Sequence, residues 1–316
     1  MTLTQTSIGD ASVLVRGVSP VLEVPFTWRG EIDVPGFRRV VRHVLGTGVT
    51  SVMFPGFASE FHKLSDAERR ELTSVLLAET RERPDVAAII AIQDHATLLA
   101  ASRAREVVAA GADLINLLPP HFLRPSRQAV LAHVRAVAEA VAPIPVVLQY
   151  APSETGTSLN AKSIVAIARD LPNLKLVKVE SSPPGRLIEE LGNERPPMLA
   201  VEGYAGVQLP DAIRRGAVGT QPGCSFVEIY LEIWRLFAGN EEAAGEALYR
   251  RLLPYISYWM LDTELIIATE KLISVRRGLI DSPYCRAPAH VLDTQEIQMV
   301  DRFIEEFASL LPSIAF

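Results

Sequence analysis

Leu174-Lys175-Leu176-Val177-Lys178-Val179-Glu180 is a run of apolar residues interrupted by charge. It reads as a β-strand buried on both faces, the kind found in parallel sheets. A lysine inside such a strand is costly unless it is paired or put to use. The chain holds only five lysines against twenty-six arginines, so Lys178 is not one of many interchangeable surface cations. A desolvated amine is a usable nucleophile towards a carbonyl, and this points to imine chemistry on a keto acid. Lys175 has the opposite strand parity and is expected to point into the helix layer.

Similar runs flank this segment on both sides. Candidate strands are 12–19, 50–54, 86–92, 113–118, 144–150, 174–179, 198–201 and 217–221, rich in Val, Ile and Leu with little polar alternation. Helical stretches alternate with them at 65–80, 96–110, 126–141, 158–170 and 209–215. The first opens on a capping box, Ser65 with Glu68 three residues on, and the second closes at Gly111. Eight βα units predict an α/β fold of the (β/α)₈ TIM-barrel type over residues 1–225. No Gly-x-Gly-x-x-Gly follows the first strand and no Walker sequence occurs, which disfavours a doubly wound nucleotide-binding sheet. From residue 226 to 316 the strand pattern stops. The stretches 226–237, 241–260, 263–277 and 294–311 read as helices, so the barrel is expected to carry a C-terminal helical extension.

Bulk composition narrows the function classes. A length of 316 residues, 48% hydrophobic, suits one large globular unit. A net charge of −6 without a basic stripe speaks against nucleic-acid binding. No apolar run reaches the ~20 residues of a membrane span. The two cysteines make no disulfide framework, and the first ten residues lack the charged and apolar regions of a signal peptide, so a cytoplasmic protein is expected. The six histidines show no metal-ligand spacing, so no metal site is expected.

In a barrel of this type the active end is the C-terminal end of the strands. That rule selects Phe57-Ala58-Ser59-Glu60, His121-Phe122, Gln149-Tyr150-Ala151-Pro152, Lys178-Val179-Glu180, Glu202-Gly203-Tyr204 and Gln221-Pro222-Gly223. Tyr150 lies one βα unit before Lys178. Its hydroxyl is expected to meet the amine above the barrel core and to shuttle protons. Glu180 shares the parity of Lys178 and is expected to tune it. Backbone amides near Ser59 and Gly203 are expected to hold a substrate carboxylate.

These residues resemble the dihydrodipicolinate synthase / N-acetylneuraminate lyase superfamily over nearly the whole chain. The likeness begins at Pro25-Phe26 and Gly30-Glu31-Ile32-Asp33 and continues through Gly56-Phe57-Ala58-Ser59-Glu60 and Leu64-Ser65. It runs on through Gly111-Ala112-Asp113, Pro120-His121-Phe122-Leu123-Arg124-Pro125 and Tyr150-Ala151-Pro152-Ser153-Glu154-Thr155-Gly156, the last one residue shorter than the family's motif. It closes with Lys178-Val179-Glu180-Ser181-Ser182 and Arg286-Ala287-Pro288. The resemblance implies a Schiff-base-forming lyase in which Lys178 binds pyruvate or another 2-oxo acid and Tyr150 is the general acid/base. Aldol cleavage, condensation or dehydration of a 2-keto-3-deoxy acid would follow. Phe57, Ala58, Ser59, Phe122, Glu180, Gly203 and Gln221 would line the substrate site. It implies no cofactor, and a homo-oligomer, dimer or tetramer. Three positions depart from the family pattern: Phe57-Ala58 replace a Thr-Thr pair, Phe122 replaces an interface tyrosine, and Glu154 stands nearest to an arginine that grips a second carboxylate. These departures favour a substrate other than that of the lysine-pathway synthase. The alternatives are a 4-hydroxy-tetrahydrodipicolinate synthase-like condensation and a non-catalytic 2-oxo-acid-binding regulatory relative.

Overall fold

Eight parallel strands alternate with helices and close into a barrel in the computed structural model, which describes residues 15–121, 123–156, 158–311 and 313–314. The strands are β1 (Gly17–Val18), β2 (Ser51–Phe54), β3 (Ala87–Ile92), β4 (Leu114–Leu117), β5 (Val146–Tyr150), β6 (Leu174–Val179), β7 (Leu199–Glu202) and β8 (Gly219–Thr220). Hydrogen bonding runs β1-β8-β7-β6-β5-β4-β3-β2. The two ends of that row meet where Val21 bridges Met53, with Leu22 N–H donating to Met53 O at 2.9 Å. The eight expected strands are therefore found, most of them trimmed at the ends; residues 12–14 of the first lie outside the described residues.

Helices α1 (Val34–Gly46), α2 (Asp66–Arg81), α3 (Thr97–Ala110), α4 (Arg127–Val141), α5 (Pro152–Thr155), α6 (Ala161–Asp170), α7 (Pro184–Asn193) and α8 (Leu209–Arg214) occupy the βα connections. The capping box at the start of α2 forms as its sequence dictates: Glu68 N–H donates to Ser65 Oγ and Ser65 N–H to Glu68 Oε2. Helices α1 and α7 fall in stretches where the sequence suggested none. Each begins with proline in its first turn, and a proline there starts a helix as readily as it marks a loop. Helices α9 (Val227–Ala238), α10 (Glu242–Trp259), α11 (Thr263–Arg277) and α12 (Thr294–Glu306) form the expected C-terminal extension. No helix among the described residues is long and apolar enough to cross a membrane.

Two apolar layers hold the barrel. The outer one packs helices against strands. The inner one fills the barrel with Met53, Ile89, Leu114, Val147, Leu176 and Val201 among others. One level above these, towards the C-terminal ends of the strands, the interior turns polar. Register pairs Val147 with Leu176 and Gln149 with Lys178, so period-2 alternation carries the same column from the dry layer into the polar one.

Candidate active site

Lys178 is next to last in β6, with its side chain only 4% exposed. Its ammonium pairs with Glu180 Oε1 at 3.1 Å. Glu180 Oε2 accepts from Gln149 Nε2 at 2.6 Å, and Gln149 Oε1 accepts from Asn116 Nδ2 at 2.8 Å. A file of polar side chains thus crosses β4, β5 and β6 with every member buried. Each hydrogen bond fixes the rotamer of the next, so the carboxylate beside Lys178 is held from behind.

Gly203 makes room for this arrangement. A Cβ there would sit 2.2 Å from Glu180 Cγ, so only glycine lets the Glu180 side chain lie flat against the end of β7. Gly223, past β8, does the same for a second carboxyl: a Cβ there would fall 1.9 Å from Glu270 Oε2. Glu270 comes from α11, in the C-terminal extension. It is buried, its Oε2 has no hydrogen-bond partner among the described residues, and burial pushes its pKa up to about 8.

These groups face one cavity of about 620 Å³, part of it open to solvent. The barrel supplies Lys178, Glu180, Gln221 and the Phe57-Ala58 turn to its wall. Helix α11 supplies Thr263, Ile266, Ile267 and Glu270. The remaining polar edge is Glu154 and Tyr204. The Tyr204 hydroxyl lies 3.0 Å from each oxygen of Glu154. Burial is the main reason that the Glu154 carboxyl sits above the usual carboxylate range; nearby Glu180 pushes the same way and Lys178 the opposite way. Past Glu154 and Tyr204 lies a second compartment, lined by Ser153, Ser181, Ser182, Glu202 and Asp262 among others and without Lys or Arg among its described lining residues. Glu202 there is buried with one oxygen unpaired among the described residues, and burial raises its pKa to about 8.

The structure brings together Lys178, Glu180, Gln221, Phe57 and Ala58, as expected from their strand ends. It separates three other residues from them. Tyr150 lies on the opposite face of β5, because Gln149 is the residue in register with Lys178 and Tyr150 pairs with Val179. Its hydroxyl donates to Leu159 O at 2.9 Å and accepts from Leu159 N–H at 3.1 Å, in the layer between strands and helices. The expectation that Tyr150 meets Lys178 is therefore corrected. Ser59 is fully buried with its hydroxyl donating to Leu22 O and accepting from Gly56 N–H, so it does not line the cavity. The Gly203 N–H donates to Val179 O at 3.0 Å and is not free for a carboxylate. Phe122 lies outside the described residues. Sequence reasoning placed Gln149 and Tyr204 at strand ends without giving either a role, and it missed all of α11 as part of the site. Gln149 was recoverable from parity, whereas the α11 residues approach the strand ends only through tertiary folding.

Residues 14–307 match the model of the dihydrodipicolinate synthetase family. Over 296 residues the chain is 27% identical to the 4-hydroxy-tetrahydrodipicolinate synthase of Pelodictyon phaeoclathratiforme, covering 92% of this chain and 97% of that one. A putative dihydrodipicolinate synthetase from Pseudomonas aeruginosa superimposes with a TM-score of 0.85 at 24% identity, covering 92% and 99% of the two chains. YagE of Escherichia coli K12, a family protein solved with pyruvate, gives 0.84 at 22% identity, covering 93% and 99%.

Proposed function

We propose that this chain, which belongs to the dihydrodipicolinate synthetase family, is a lyase that binds a 2-oxo acid as a Schiff base on Lys178. The observation that carries this reading is the buried Lys178 amine, facing a cavity with one carboxylate, Glu180, held 3.1 Å away. Glu180 takes a proton from the ammonium. The free amine adds to C2 of the keto acid, one of its own protons moves to the new alkoxide to give the carbinolamine, and Glu180 returns the proton it took to that hydroxyl as it leaves as water. The acid's carboxylate lies towards Gly223, where Glu270, protonated at neutral pH, donates a hydrogen bond rather than repelling it.

The product of these steps is an iminium, an electron sink that permits cleavage or formation of the bond between C3 and C4, or, after loss of a C3 proton, expulsion of a hydroxyl from C4. Relatives of this chain are named 4-hydroxy-tetrahydrodipicolinate synthases. In this chain the outer compartment is acidic and has no described Lys or Arg among its lining residues. That favours a reaction partner without a second carboxylate, such as the polyhydroxylated tail of a deoxy keto acid. The test is borohydride reduction in the presence of pyruvate or 2-oxobutyrate, followed by peptide mass mapping. A stable adduct is expected on Lys178 and none in Lys178→Ala. Wild-type protein that gains no mass with any of several 2-oxo acids would sink the reading.

A further inference from the structure

An imine on Lys178 needs a second acid/base group, one that works at carbon rather than at nitrogen. Tyr150 cannot supply it, since its hydroxyl is held by both backbone groups of Leu159. Glu180 is already divided between the amine and Gln149. Glu270 is a poor base while it carries a proton. The remaining titratable pair on the cavity wall is Tyr204 and Glu154.

That pair is built with care for its position. Tyr204 and Ala205 both have left-handed backbone angles, with φ of 47° and 51°. Side chains rarely adopt this conformation, so the turn is held against backbone strain. The Tyr230 hydroxyl holds the turn by donating to Ala205 O at 2.5 Å. The result aims a half-buried phenol across the junction of the two compartments, where its proton points at both oxygens of Glu154 and its oxygen, also hydrogen-bonded to the Ser153 side chain, borders the cavity. Burial chiefly, with Glu154 and Glu180 adding to it, raises the proton affinity of the phenol against the opposing hydrogen bond from Ser153, so it rests as the neutral hydroxyl and not as a phenolate.

We infer that Tyr204, with Glu154 behind it, moves the proton at C3 of the 2-oxo acid bound to Lys178, a role that rests on the imine reading above. The C3–H bond breaks and its electron pair forms the C2=C3 bond of the enamine. The C2=N pair returns to the lysine nitrogen. The C3 proton passes to the Tyr204 oxygen as the phenolic proton passes to Glu154, so the positive charge of the iminium and the negative charge of Glu154 disappear together. In the cleavage direction the same relay takes the proton of the C4 hydroxyl while the C3–C4 pair enters the enamine. Tyr204 is the catalytic residue of this pair, and Glu154 acts through it.

Two readouts on the same samples test the relay: borohydride trapping with pyruvate, and deuterium uptake at the pyruvate methyl group in D₂O followed by NMR. Trapping reports the imine, and exchange reports the C3 proton transfer. Tyr204→Phe and Glu154→Gln are expected to trap pyruvate to the wild-type extent while exchanging at a rate lower by ~10² or more. A variant that has merely lost its fold would lose both signals, and trapping guards against that. Trapping with exchange within threefold of wild type in Tyr204→Phe would overturn the relay and leave the imine reading standing. Wild-type protein that traps nothing would overturn both.

Discussion

Two lysines lie buried near the active end of the barrel, and the molecule treats them in opposite ways. Lys271, on α11, has 1% of its side chain exposed; it donates to Glu60 and, at 2.9 Å, to Tyr284 O, and its ammonium stands 4.2 Å from the centre of the Phe26 ring. Every side of that cation is occupied by a partner, and none of its contacts leads to the cavity. Lys178 is almost as buried, yet it has one ion-pair partner among the described residues and an open side facing the cavity. Burial therefore does not mark a reactive lysine. What separates the two is coordination left incomplete: Lys271 closes a structural joint, and Lys178 keeps room for a bond.

The sharpest way to break this contrast is to remove each amine in turn. Lys178→Ala should lower turnover at least ~10³-fold while the melting temperature barely moves. Lys271→Ala should do the reverse. It strips Glu60 of a buried partner, although Lys63 remains at 3.1 Å, and should cost about 3 kcal/mol by denaturant titration while the folded fraction still traps a 2-oxo acid. If both variants lost stability equally, the distinction would fail. Glu180→Gln comes next: imine formation should slow on the order of 10²–10³-fold in rapid-quench trapping, with the fold intact. Gly203→Ala should slow the same step by ~10- to 100-fold, because the added methyl collides with Glu180 Cγ. Gly192→Ala is its control, since a Cβ there meets nothing within 4 Å.

The smallest effect concerns protons. Glu202 and Glu270 each rise from 4.5 in the free state to about 8 when folded. Between those values the folded chain holds protons that the unfolded chain has released. The stability they add is complete below the unfolded pKa and drains away as pH rises towards 8. The double variant Glu202→Gln with Glu270→Gln should show a shallower fall in melting temperature from about pH 5 to about pH 8, by ~5–10 °C. Comparing it with wild type cancels His133 and Glu68, which burial and the Arg286 hydrogen bond respectively shift the other way.

Much of the barrel was legible in the chain because its signals are local. Apolar runs marked the strands, and the Ser65–Glu68 cap marked the start of α2 at its true residue. Lys178 and Glu180 were legible for the same reason, two residues apart on one strand and so on one face. Tyr150 was misplaced by a single position. In a strand one residue turns a side chain from the interior to the helix layer, and the register of β5 against β6 is a property of two strands together. Glu154 was visible only as a departure from the family pattern, and Glu270 was harder still. Nothing near Glu270 in the chain distinguishes it from a core-facing position on an amphipathic helix, since what makes it unusual is Gly223.

Helix α11 has one further consequence. Along its length it gives Glu270 to the cavity, Lys271 to Glu60, Ser274 to Glu23 and Arg277 to the carbonyl of Ser225. Three of those partners are charges or polar groups buried at the rim of the barrel. A lineage that exchanged this helix for a relative's in order to change its substrate would inherit the stranded partners too. Roof and rim are thus bound into a single heritable unit, and new specificities arise more readily by altering Thr263, Ile266 or Ile267 one at a time than by swapping the segment whole.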